Sequence, residues 1–343
     1  METVLVTGGA GFIGSHFVKR LLRAQDIGRV TVLDALTYAG HVANLGEAFL
    51  DPRLNFVRGN ILDASLVDSL VAQHPVVVHF AAESHVDRSL LAGGPFVQTN
   101  VLGTQVLADA AARHGARRFV HVSTDEVYGP LAEGSATEDY PLRPSVPYAA
   151  SKAAGDLIAL SYFRTYGLPV CVTRSSNNYG PAQYPEKIIP LFVTKLVTGE
   201  KVTLHGQGQH VRNWLHVEDN CQGIELVMRA GVPGEVYNIG GGTDLTNREL
   251  TRLLLQVCGA DWDAVTYIPD RQANDIRYSM VWAKIADSLG YRPTHDLKEE
   301  LARTADWYRR HPDRWAPLVR IPEPRAATRP HVTPDTAQEP QHV

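Results

Sequence analysis

Residues 4–14 read Val-Leu-Val-Thr-Gly-Gly-Ala-Gly-Phe-Ile-Gly. Gly8, Gly11 and Gly14 recur every third position between an apolar, β-branched run and an amphipathic stretch over 12–24. This spacing constrains the fold more than any other feature. The glycines permit a tight strand-to-helix turn and let a pyrophosphate approach the backbone at the positive helix N-terminus. Asp34 ends the next β-branched run, 20 residues after Gly14. An acid there accepts hydrogen bonds from ribose hydroxyls and repels a 2′-phosphate, so NAD is expected rather than NADP.

The runs Val4–Thr7, Val30–Asp34, Leu54–Arg58, Val76–Ala82, Arg118–Thr124 and Pro169–Arg174 read as strands. They are continuously apolar, as expected of strands covered on both faces. Helical patterns at 12–24, 65–73, 93–114 and 148–166 separate them. Alternation of this kind predicts an α/β fold, a doubly wound parallel sheet of the Rossmann type. After about residue 178 prolines interrupt the rhythm, and shorter helical patterns follow at 187–198, 218–230, 247–257 and 297–311. Residues 1–180 are therefore expected to form the NAD-binding domain carrying the catalytic residues, with chain returning to it around 211–242. Residues 181–320 are expected to form a smaller, mainly substrate-binding lobe. Residues 321–343 hold five prolines and no aromatic residue or leucine, so a disordered tail is expected.

Composition removes several function classes. Lys and Arg total 33 against 37 Asp and Glu, a net charge of -4, which disfavours nucleic-acid binding. Cys171, Cys221 and Cys258 are too far apart for a metal knuckle or a disulfide framework. No metal site is expected. No apolar run is long enough to span a membrane, and the opening residues lack a signal-peptide pattern. A cytoplasmic protein without membrane partners is the expectation.

Tyr148 and Lys152 stand four residues apart on the predicted 148–166 helix, so both fall on one face. A nearby ammonium would lower the phenol's pKa and let Tyr148 act as a base. Thr124, at a strand end, is placed to bond the same substrate hydroxyl. Asp125 and Glu126 follow it directly. Two carboxyls at a strand end in a closed site can hold different protonation states, which a reaction needing both an acid and a base requires.

With the glycine turn, these residues resemble the extended short-chain dehydrogenase/reductase family over residues 1 to about 315. Ser123-Thr124-Asp125-Glu126-Val127-Tyr128-Gly129 is similar to the signature of its nucleotide-sugar 4,6-dehydratases. So are Asp34-Ala35-Leu36-Thr37-Tyr38-Ala39-Gly40, Ala81-Ala82-Glu83-Ser84-His85-Val86-Asp87-Arg88-Ser89, Asn177-Asn178-Tyr179-Gly180-Pro181 and Pro185-Glu186-Lys187. The resemblance implies a tightly held NAD, a dTDP-glucose substrate, Glu126 as base and Asp125 as acid. It implies cofactor contacts at Phe12, Ile13, Leu36, Thr37, Asn60, Ile61, Ala81, Ala82, Ser84, Thr99 and Asn178, beside Tyr148 and Lys152. It implies substrate contacts at His85, Thr124, Asn177, Lys187, Ile188, Thr203, His205, Arg212, Asn238, Arg271 and Asn274. Arg212 and Arg271 are the cations expected at the substrate diphosphate.

Three positions depart from the family pattern: His205 replaces a tyrosine, Asn274 a histidine and Ala182 an aromatic residue. All lie on the nucleotide-sugar side, so UDP-, CDP- or GDP-sugars remain alternatives. A nucleotide-sugar 4-epimerase would share the glycine turn, Tyr148 and Lys152, but has no chemical need for Asp125 and Glu126. A silent nucleotide sensor would not need Tyr148. The resemblance also implies a homodimer through helices 93–114 and 148–166, for which Leu102, Val106, Ile158 and Leu160 are the candidate contacts.

Overall fold

The structure is a computed structural model and describes residues 1–270 and 275–319. Arg271, Asn274 and the expected tail lie outside these residues. Seven parallel strands form the central sheet. They are β1 (Glu2–Thr7), β2 (Ile27–Asp34), β3 (Leu54–Arg58), β4 (Val76–His79), β5 (Arg118–Thr124), β6 (Val170–Ser175) and β10 (Val236–Ile239). Their spatial order is β3-β2-β1-β4-β5-β6-β10. Three further strands, β7 (Asn177–Tyr179), β9 (Val211–His216) and β11 (Thr243–Thr246), form a small sheet. The last two, β8 (Val202–His205) and β12 (Val265–Ile268), pair with each other.

The continuously apolar strands are explained by the two faces. Val4, Val6, Val76 and Val78 face a core shared with the helices Phe12–Arg23 and Val217–Ala230. Their neighbours Leu5 and Val77 face the opposite core, packed under Ala64–Val71, Gly103–Arg113 and Pro147–Tyr166. Each such buried aliphatic side chain contributes about 1.5–3 kcal/mol. A third core, around Phe192, Trp214, Leu254, Leu301 and Tyr308, holds the later helices together.

Three local differences from the sequence reading matter. Strand β4 ends at His79, not at residue 82, because the chain must leave the sheet's edge and run across the glycine turn. The predicted helix 93–114 contains a π-helical segment, Val97–Leu102. Strands β8, β9, β11 and β12 mix polar with apolar residues and so lack the continuous apolar run that marks the central strands.

Sheet order reverses between β1 and β4, opening a crevice at the strands' carboxyl ends. Among the described residues no helix is long and apolar enough to cross a membrane. No cluster suited to a metal ion occurs among them either.

Candidate active site

A cavity of about 640 Å³ occupies that crevice. Its first wall is the glycine turn. Gly8 has φ +71°, and a Cβ there would stand 2.6 Å from the Ala81 amide nitrogen. The helix Phe12–Arg23 starts at Gly11 with no side-chain cap, so its first amides face the cavity for an anionic ligand. Asp34, at the end of β2, accepts from the amides of Ala10 (2.9 Å) and Leu36 (2.8 Å). Asn177 Oδ1, Asn178 Oδ1 and Asp125 Oδ2 are buried without a protein hydrogen-bond partner, and all three residues line the cavity. Buried acceptors of this kind call for a polar ligand. Glycine cradle, cavity-lining acid and orphaned acceptors together fit a dinucleotide such as NAD.

The catalytic wall is built by β5 and the helix Pro147–Tyr166. Pro147 opens the helix, and Gly167 closes it in the left-handed conformation. Thr124 ends β5; its Oγ1 lies 3.3 Å from Asp125 Oδ1 and accepts from the Glu126 amide at 3.3 Å. Burial, reinforced by Glu126, pushes the Asp125 carboxyl up to about 8 against the pull of Arg212. Burial also raises Glu126, but both Lys187 and Arg212 oppose the rise. Asp125 is thus held toward its protonated form, whereas at Glu126 two cations work against burial and Asp275 works with it.

Tyr148 differs from the expectation. Burial, with Glu126 next, holds its phenol well above 10, and only the Thr124 hydroxyl pulls it down. The Lys152 ammonium donates to the Val122 carbonyl of β5 at 2.7 Å.

Every cofactor-side residue named from the sequence lines the cavity except Leu36, which contributes only its amide to Asp34. Every described substrate-side residue lines it except Asn238. Asn238 sits on β10, inserted beside β6. Its amide is consumed by the Tyr128 hydroxyl (2.7 Å) and the carbonyls of Ala136 and Val281. Arg212 does more than the sequence suggested: its guanidinium stacks 4.5 Å from the Tyr278 ring and reaches the acid pair electrostatically.

Among the lining residues that sequence reading did not name as contacts are Tyr38, Glu186 and Tyr278. The first two lie inside motif segments already quoted, yet only folding joins them. The Tyr38 hydroxyl donates to Glu186 at 3.1 Å, and Arg88 pairs with the same carboxylate at 3.4 Å.

The family described as GDP-mannose 4,6 dehydratase matches residues 5–304. A dTDP-glucose 4,6-dehydratase of Streptomyces antibioticus is 59% identical, over 94% of this chain and 97% of its own. The solved structure of DesIV, a dTDP-glucose 4,6-dehydratase from Streptomyces venezuelae with NAD bound, superposes with a TM-score of 0.91. It is 54% identical, covering 92% of this chain and 99% of that one. A UDP-glucose 4-epimerase from Thermotoga maritima reaches a TM-score of 0.83 at 31% identity, covering 90% of this chain and 99% of its own. The chain belongs to the GDP-mannose 4,6-dehydratase family and, within it, groups with the dTDP-glucose 4,6-dehydratases.

Proposed function

We propose that the cavity holds NAD along the glycine turn and a dTDP-glucose beside Asp125 and Glu126, and that the chain is a hydro-lyase making dTDP-4-keto-6-deoxyglucose. Bound NAD supplies the acceptor for the hydride leaving C4 and later the donor of the hydride that reaches C6. Gly8, Gly11 and Asp34 would hold its pyrophosphate and ribose.

Tyr148, with Thr124 beside it in the same cavity, takes the proton of the C4 hydroxyl. The sugar C4 ketone then acidifies the C5 hydrogen. Glu126 removes that proton while Asp125 protonates the departing C6 hydroxyl, so one water leaves. Returning a proton to C5 completes the cycle without an external reductant. The high resting pKa of Tyr148 means that its base form must be drawn out by charge in the loaded site. Lys187 and Arg212 would meet the diphosphate and sugar.

The observation that carries this reading is the pair of adjacent carboxyls, Asp125 and Glu126, lining one cavity with Tyr148. A 4-epimerase performs no elimination and needs neither. Product mass tests it: loss of one water is expected, and an unchanged mass would sink it. Turnover across dTDP-, UDP-, CDP- and GDP-glucose tests the base, with dTDP-glucose expected to win; equal turnover with all four would refute a dedicated base pocket.

A homodimer is part of the proposal. Leu90, Leu91, Val97, Leu102 and Leu157 are all exposed on adjoining helices, a face suited to a second copy. Leu160 packs inside its own subunit, and Val106 and Ile158 lean on the same core, so Leu157 replaces Leu160 in the proposed contact. A cytoplasmic location is proposed too, consistent with three free thiols.

A further inference from the structure

Beneath Tyr148 and Lys152 the same helix face carries a third functional group, Asp156, at the next four-residue step. Asp156 is fully buried. Its Oδ2 accepts from Arg174 Nε of β6 at 2.9 Å, and its Oδ1 lies 3.4 Å from His121 Nε2 of β5. The His121 ring packs 5.3 Å from that of His79 on β4. His79 in turn contacts Thr7 (2.7 Å) on β1 and Thr104 (3.1 Å). Arg174 continues the layer to the Tyr128 hydroxyl at 3.0 Å. A polar layer thus crosses four neighbouring strands directly under the catalytic helix.

Burying an ionic group is costly, and an apolar residue would pack equally well between helix and sheet. The Asp156 carboxylate is surrounded by Arg174, His121 and, along its own helix, Lys152. The groups coupled to Lys152 are Asp156 on its own helix, His121 from β5 and His79 from β4, while Arg174 of β6 reaches it through Asp156. Among these, Asp156 is the sole anion.

We propose that Asp156 is a positioning residue whose buried carboxylate keeps the Lys152 ammonium protonated, with Arg174 limiting how strongly it does so. The electrostatics run the same way. Burial draws Lys152 down to about 8, and Asp156 is the group that resists. Both imidazoles are held below their ordinary value by burial first, then by charge: His121 by Lys152, and His79 by His121 ahead of Lys152. They therefore stay neutral and add no competing cation. The layer sums to two cations and one anion, a net charge that favours an anion at Tyr148 above it. The proposal deepens the dehydratase reading but does not depend on the product formed.

Lys152 can be titrated directly in the holoenzyme by NMR of ¹³C-labelled lysine, its signal assigned with Lys152→Arg. Asp156→Asn should move the Lys152 midpoint down by about one unit or more, as expected for a lost opposite charge at short range. Arg174→Gln should move it up, and Arg174→Lys should leave it near the wild-type value. The alkaline limb of the substrate-dependent reduction of bound NAD should move with the midpoint in each variant. A merely structural role predicts loss of stability with unmoved midpoints, and that result would overturn the proposal. If Asp156→Asn does not fold, Arg174→Gln decides alone: an upward shift supports the coupling, and no shift or a downward one refutes it. Should the product prove not to be dehydrated, the midpoint shifts would still be read, so the two ideas fail separately.

Discussion

The guanidinium of Arg88 lies 3.9 Å from the centre of the Tyr38 ring, and both side chains end on the buried carboxylate of Glu186. Three segments meet there: the loop after β2, the helix Val86–Leu91 and the residues leading into Ile188–Val197. All border the cavity. Arg88→Ala removes a cation–π contact worth about 0.5–2 kcal/mol. NAD should leave the variant roughly 2- to 30-fold faster, as followed by the NAD still bound after dilution and rapid gel filtration.

Glu126→Gln keeps the shape of the acid pair but cannot accept the C5 proton. Solvent deuterium incorporation at C5 should fall by about 10²–10⁴. Oxidation at C4 should persist, visible as partial reduction of bound NAD on adding substrate. Deuterium entering at the wild-type rate would reassign the base.

Asp125 ties activity to stability through one proton. Its folded value, about 8, lies above the unfolded 3.8. Its stabilising contribution is therefore complete below pH 3.8 and is lost as pH rises through about 8, with a slope of up to about 1.4 kcal/mol per unit. Asp125→Asn removes that slope. Denaturation midpoints should show the variant gaining on the native chain between pH 5 and pH 8, while turnover collapses. In the native chain, elimination should decline as pH passes about 8 and the acid loses its proton.

Gly8→Ala tests the turn. The new methyl meets Ala81 backbone at 2.6 Å while φ is +71°. Left-handed strain alone costs about 1–3 kcal/mol. The purified variant should carry little NAD and melt earlier; full NAD occupancy would show that the turn can relax.

Leu102→Glu combined with Leu157→Glu places charges on two exposed apolar positions, half or more accessible in the isolated chain. Neither fills a core, so folding should survive. Sedimentation should find a dimer for the native chain and a monomer for the variant. A native monomer would remove the dimer from the proposal.

The amino-acid order by itself determined the local chemistry. The Gly8-Gly11-Gly14 turn, the acid at Asp34, Thr124-Asp125-Glu126 at a strand end and Tyr148-Lys152 on one helix face are all short-range patterns. Turn geometry and the 3.6-residue period write such patterns directly into sequence. Asp156 shared the same four-residue step in plain view, yet it acquired meaning only when β5 and β6 brought His121 and Arg174 against it. Asn238 looked like a substrate contact until β10 inserted beside β6 and buried it. Leu160 looked like an interface residue until the helix settled its rotation. The proton affinities of Asp125, Glu126, Tyr148 and Lys152 depend on desolvation and on charges from distant segments, Lys187 and Arg212 among them. Those terms act through space, at distances that only the packed tertiary structure sets.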